Sequence, residues 1–166
     1  MSTTTFTAIT ADGKTYEVSR KAARHSGYFR GLLEDFAGFP MPDAIPVEYI
    51  SSASFEKLLE YMNHYENSEP AMGDKIVWRP FNEAVPEWDC QYLNMSGPEL
   101  YKLNAAAEYL LMEPLLELIA FNMACTTKDM TVEEACDFYG LPRPSEEQLK
   151  EIEKIYWEQY ALPADM

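Results

Sequence analysis

The sequence predicts an α+β protein, with a small antiparallel sheet at the N-terminal end and helices along the rest. Three observations predict it. β-prone residues crowd the first stretch around an Asp-Gly pair. Apolar residues recur at helical spacing in most later segments, and prolines and capping residues separate those segments. Strands gathered at one end argue against the alternating order of a wound parallel sheet. The 166 residues amount to about one domain with room for a small appendage. Hydrophobic residues make up 47% and aromatics 13%, enough to build a core and keep the chain from staying disordered.

Residues 5–18 read TFTAITADGKTYEV, with Asp12-Gly13 between two β-prone runs. This is a hairpin signal, because the turn needs residues that tolerate positive φ. A helix is expected over 19–27, capped by Ser19. A second is expected over 28–36, with Phe29, Leu32, Leu33 and Phe36 on one face. Gly38, Pro40 and Pro42 then force a loop. Residues 45–50 suit a short third strand, with Pro46 at a sheet edge or strand start. Residues 51–65 form the clearest early helix, capped by Ser52 or Ser54, with Phe55, Leu58, Leu59 and Met62 along one face. Residues 66–87 lose periodicity and hold three prolines and a glycine. A loop of that length is functional or mobile.

From Trp88 onward the pattern is helical. A short helix is expected over 88–94. Pro98 suits the first turn of a helix reaching about residue 111, with Leu100, Leu103, Ala107 and Leu110 inward. Pro114 opens another to about residue 126, through Leu115, Leu116, Leu118, Ile119 and Met123. Thr131 with Glu134, and Ser145 with Gln148, match the capping-box pattern. The last helix carries Leu149, Ile152, Ile155 and Tyr156, with Trp157 beside them, and follows a proline-rich hinge at 140–144. A tail this short forms no core of its own. Tyr156, Trp157 and Tyr160 either staple it to the body or offer a partner the aromatic contacts that dominate interfaces.

The net charge of −15, from 28 acidic and 13 basic residues, excludes several partner classes. Without a basic patch, such a surface repels phosphate backbones and anionic membranes. It favours a basic protein partner, although acidic charge most often serves solubility. Cys90, Cys125 and Cys136 are odd in number and form no CxxC pair, so free thiols and a reducing compartment, cytoplasm or nucleus, are expected. Residues 1–10 have neither the basic nor the apolar region of a secretory leader. No run of about 18 apolar residues would span a membrane. His25 and His64 lack a second ligand at metal spacing, so no metal or cofactor is expected. Cys90 has no identifiable base. Glu133-Glu134 and Glu146-Glu147 suit helix first turns, where the macrodipole favours negative charge. The chain therefore reads as an adaptor held between larger partners and not as an enzyme.

Val85-Pro-Glu-Trp-Asp-Cys-Gln-Tyr-Leu93 resembles the I/V-P-x-W-D-x-x-F/Y-L motif of the Skp family, the F-box-binding adaptors of SCF cullin ubiquitin ligases. Ala105-Ala106-Ala107-Glu108-Tyr109-Leu110 is similar to the family's A-A-N-Y-L, and Leu115-Leu116 to the pair that follows it. Met130-Thr131-Val132-Glu133-Glu134 is similar to its K-T-P-E-E. Asp12-Gly13 with Tyr16-Glu17-Val18 is similar to its D-G-x-x-F-E-V, and Trp157 to its final tryptophan. Elongin C shares the first domain but ends before the last two helices. The resemblance implies a BTB/POZ fold over 1–127, including the long loop 66–87, and a two-helix extension over 128–166. It implies an F-box protein held by Leu116, Met123, Tyr139, Leu141 and Trp157. It implies a cullin held by the segment of Glu108 and Tyr109, and weak self-pairing of the BTB face when no partner holds it.

Four departures carry information. The family's asparagine is Glu108, a carboxylate that cannot donate a hydrogen bond and would need a cation if buried. Residues 36–45 are apolar where the family is acidic. The proline hydroxylated and glycosylated in some members is Val132. The long loop carries Met72, Ile76, Val77, Trp78 and Phe81, which should pack on the body or on a partner. Two functions are thus in play: an adaptor linking an F-box protein to a cullin, and a structural subunit holding an F-box-type protein in a cytoskeletal, kinetochore or ciliary assembly without a cullin. Glu108 and the apolar loop favour the second.

Overall fold

A computed structural model describes residues 4–71 and 79–160, without the side chain of Tyr160. Met72, Ile76, Val77 and Trp78 of the apolar loop lie outside the described residues, as does the Tyr160 side chain of the aromatic cluster.

Strand β1 (Thr5–Thr10) alternates as expected, with Phe6, Ala8 and Thr10 inward, and pairs antiparallel with β2 (Thr15–Ser19). The Asp-Gly turn joins them. Gly13 adopts φ 81°, and the Thr10 N–H donates to Lys14 O across the turn at 2.9 Å. Asp12 does more than turn the chain. Its carboxylate accepts from the Thr10 hydroxyl at 2.6 Å and from the Ser52 N–H at 3.0 Å, tying the hairpin to the start of a helix.

The expected helix at 19–27 is one 3₁₀ turn, Ala22–His25. The strand runs on through Ser19, whose hydroxyl accepts from the Ala22 N–H at 3.4 Å. Helix α1 follows (Gly27–Asp35), capped by Ser26, and only Phe29 of its apolar face is fully buried. Its ring stands between Phe6 at 5.1 Å and Phe55 at 6.4 Å.

Strand β3 (Ile45–Val47) lies at the edge beside β1, with Pro46 in it, in the order β2-β1-β3. It pairs parallel to β1. The sheet is therefore mixed, and the antiparallel expectation holds for the hairpin alone. The physical reason is the helical crossover between β2 and β3, which returns the chain to the end of the sheet from which β1 starts. Such orientation is not written in periodicity.

Helix α2 (Ser52–His64) is capped by Ser51, not by Ser52 or Ser54. The long loop contains a short helix, α3 (Phe81–Ala84), and the tryptophan motif begins α4 (Glu87–Tyr92). Helix α5 (Gly97–Tyr109) packs against α2, against α6 (Glu113–Thr127) and against α7 (Val132–Tyr139). Its inward Leu100, Leu103, Ala107 and Leu110 are all buried. Its capping box pairs Ser96 with Glu99, one residue pattern that Pro98 had overshadowed. The C-terminal end of α5 plugs into the start of α1. Leu110 O accepts from the Ser26 hydroxyl at 2.7 Å and from the Tyr28 N–H at 3.2 Å, and Leu111 O accepts from the Gly27 N–H at 3.0 Å. Leu111 takes φ 52° to present that carbonyl.

Both expected C-terminal caps form: Thr131 with Glu134 opens α7, and Ser145 with Gln148 opens α8 (Glu146–Tyr160). Helix α7 docks tightly on α5. A Cβ added at Gly97 would lie 2.1 Å from Phe138 O, so only glycine allows this approach.

Candidate functional site

Aromatic packing accounts for the tryptophan motif. Trp88 stacks on His64 at 3.5 Å and on Tyr92 at 4.9 Å, and Tyr61 and Tyr65 complete the cluster. Asp89 is 2% exposed and accepts from the Tyr65 hydroxyl at 2.7 Å. Burial raises its carboxyl pKa, against the smaller lowering effects of Tyr65 and His64. Burial likewise pushes the Tyr61, Tyr65 and Tyr92 hydroxyls above their ordinary value. His25 holds Tyr65 O through Nε2 at 2.6 Å. Both histidines and the tryptophan motif are thus occupied in tying α2 to α4 and to the 3₁₀ turn. The three cysteines are free thiols, all half-buried. Among the described residues no cluster has metal-ligand composition, and no helix is long and apolar enough to cross a membrane.

Two surfaces remain. The first is at the C-terminal end. Leu115, Leu118 and Ile119 of α6 face the core, which leaves Leu116 and Met123 half-buried on a second face of the same helix. They stand seven residues apart, about two turns, and so line up. Tyr139 is buried at the end of α7, and its hydroxyl is a buried polar atom without a hydrogen-bond partner among the described residues. The left-handed Gly140, φ 67°, turns the chain so that Leu141 packs at the edge of the core. Arg143 then forks onto Asp137, Nε to Oδ1 at 3.0 Å, and holds that carboxyl below its usual pKa. Beyond this clamp α8 lies open. Ile152 is 52%, Ile155 46%, Tyr156 55% and Trp157 59% exposed, and Trp157 meets the Tyr156 ring edge-on at 5.6 Å. The structure therefore puts Leu116 and Met123 on one face of α6 and Tyr139 and Leu141 at the end of α7, all against the core, while Trp157 stands out on α8.

The second surface lies at the end of α5. Glu108 is exposed and accepts from Asn104 Nδ2 at 3.3 Å. In the chain alone it is not buried and needs no cation for solvation. Tyr109 is half-buried, with ring contacts to Tyr28 and Tyr49, each at 5.6 Å. Tyr28 and Tyr49 were not singled out in the sequence. The available signal was an aromatic just past an edge-strand proline, which no core periodicity explained. Of the apolar loop, Phe81 packs on the body, with its ring 5.7 Å from Phe121 of α6. Phe39, in the apolar stretch before β3, is 71% exposed.

Known proteins match along most of the chain. A family model described as Skp1 family, tetramerisation domain, matches residues 4–67. An SCF ubiquitin ligase complex protein of Dictyostelium discoideum is 26% identical over 141 residues, 83% of this chain and 86% of that protein. An E3 ubiquitin ligase complex SCF subunit of Emericella nidulans is 31% identical over 123 residues, 74% of this chain and 75% of that one. Its counterpart from Aspergillus flavus is 29% identical over 134 residues. The mixed three-stranded sheet with α1 and α2 lies within the matched residues 4–67, and with the helices that follow it makes an α+β, BTB/POZ-like fold. Taken with identity at that level across both chains, this shows that the chain belongs to the Skp family.

Proposed function

We propose that the chain is a non-catalytic adaptor of an SCF-type ubiquitin ligase, which holds an F-box protein through its C-terminal helices and links it to a cullin. Residues 1–127 would form the BTB/POZ domain and residues 128–166 the F-box-binding extension. The observation that carries this reading is α8. Its Ile152, Ile155, Tyr156 and Trp157 are exposed although Ser145 caps the helix and Arg143 ties the hinge before it to Asp137 of α7, so its apolar side has a use other than the core of this chain. Names of relatives in SCF complexes support the same role. Work in the cytoplasm or nucleus is consistent with it.

Leu116, Met123, Tyr139, Leu141 and Trp157 are the proposed F-box contacts. Glu108 and Tyr109 are the proposed cullin contacts. The purified chain should bind both an F-box peptide and a cullin N-terminal domain from the same cell. Trp157→Ala should weaken F-box binding by about 1–3 kcal/mol. Because Trp157 is 59% exposed, its thermal melting should stay unchanged. Loss of folding without a specific binding defect would return Trp157 to the role of a staple.

The carboxylate at Glu108, on the proposed cullin face, favours a second reading: a structural subunit that keeps an F-box-type partner and has no cullin. Binding of the F-box peptide with no cullin binding at tens of micromolar would select it.

A further inference from the structure

We propose that the cavity between β1 and the segment 36–43 takes an extended peptide segment of a partner protein, which adds as a short strand beside Thr5–Thr7 and sets a glutamate or aspartate carboxylate on Arg20. None of the proposed F-box or cullin contacts lines this cavity. It lies at the Ile45 end of β3, whereas Tyr49 follows the other end.

The backbone carries the first half of the case. The Arg20 N–H donates to Thr4 O and the Thr10 N–H to Lys14 O, each at 2.9 Å. In an antiparallel ladder those bonds turn the even residues of β1 toward β2 and the odd ones, Thr5 and Thr7, the other way. Strand β3 occupies that side only from Ala8 onward. The chain before Ile45 holds Pro40 and Pro42 and does not continue the ladder. Thr5 and the Thr7 N–H therefore face an unpaired stretch of edge, which is a template for an added strand. A cavity of about 700 Å³ opens there, within the size range of ligand sites.

The side chains carry the second half. Arg20 lines the cavity, and its side chain makes one hydrogen bond, from Nη2 to the Met41 thioether at 3.1 Å. A thioether is a weak acceptor. Nε is buried without a partner, and Nη1 has none among the described residues and is not buried. Arg20 is in none of the ion pairs formed by the described residues, although the chain has 28 acidic residues. Such a guanidinium is a fork without its oxyanion, and a carboxylate is the acceptor it fits. Asp43 lines the same cavity without pairing with Arg20, and its charge limits the peptide to a single carboxylate there. The Phe39 N–H donates to Phe36 O at 3.0 Å, in a turn that leaves the Phe39 ring 71% exposed on the cavity lining. That ring offers an apolar contact to a neighbouring peptide side chain.

An NMR titration of the full chain with the blocked peptide Ac-Thr-Val-Glu-Val-Thr-NH2 tests this. The expected shifts gather at Thr5, Thr7, Arg20 and Phe39, and the Thr5 and Thr7 amides gain protection from hydrogen exchange. A copy with glutamine for glutamate should bind about tenfold more weakly. A fully N-methylated copy, which cannot extend the ladder, should leave Thr5 and Thr7 unprotected. Arg20→Gln should weaken the glutamate peptide about tenfold, and Asp43→Asn should tighten it. Phe39→Ser changes an exposed side chain and should weaken the peptide about two- to threefold. It serves in place of Arg20→Gln should that variant not fold. Equal binding of the glutamine or the N-methylated copy, shifts confined to other surfaces, or glutarate alone matching the peptide's affinity would overturn the proposal. The last result would mark a small-anion site in its stead.

Discussion

Two aspartates in this protein titrate in opposite directions, and their surroundings say why. Asp12 is held at a pKa of about 2, against an ordinary 3.8, first by the Ser52 hydroxyl and then by Thr10. A lowered carboxyl pKa contributes stability above the unfolded value, lost as pH falls through the folded one. The stability gap between the native chain and Asp12→Asn should therefore be full above pH 3.8 and close toward pH 2. Asp89 is raised instead, chiefly by burial. Its ionised form opposes folding, so the contribution is lost as pH rises through its folded pKa. Asp89→Asn keeps an oxygen for the Tyr65 hydroxyl and drops the buried charge. It should be neutral or stabilising at neutral pH, with the difference vanishing in acid. Urea unfolding across the acid range checks both, and a parallel response of the two variants would refute the assignment.

Among the elements, the α5–α7 contact depends on a residue with no side chain. Gly97 begins α5 where Phe138 O of α7 lies too close for any Cβ. Gly97→Ala should destabilise the protein by about 1–3 kcal/mol, the usual cost of overpacking. Hydrogen exchange should show α7 opening first, since it is α7 that must retreat. If α5 and α7 lose protection equally, the steric account is wrong. Much of the element order was legible beforehand. Both C-terminal capping boxes, the hairpin and the edge position of Pro46 follow from side chains acting on backbone within four residues. The helix expected at 19–27 is cut to one turn because Ser26 is held extended as the cap of α1, bonded to Leu110 O of a segment far along the chain. Helix α3 was illegible because Phe81 is placed by Phe121, far along the chain.

On the scale of the molecule, one packed body carries an appended helix. The exposure of residues 150–159 says that α8 contributes little to that body. Removing 146–166 should shift the melting temperature of the remainder by no more than about 2 °C, the response to a surface change. It should abolish F-box binding. A drop of many degrees would show α8 to be part of the body and not an offered surface.

The sequence by itself determined the Asp-Gly turn, the two C-terminal caps, the inward face of α5 and which family it resembles, because those signals are local or lie in ordered motifs. It placed Leu116, Met123, Tyr139, Leu141 and Trp157 as a proposed surface without saying which were exposed. The tertiary structure alone decided that. The core takes one face of α6 and leaves another, Gly97 lets α7 close on α5, and among the described residues Trp157 stays 59% exposed. It also assembled Tyr28, Tyr49 and Tyr109 from three separate segments. Such a cluster has no sequence period, because the α5–α1 junction and the edge strand bring its members together only when the chain folds.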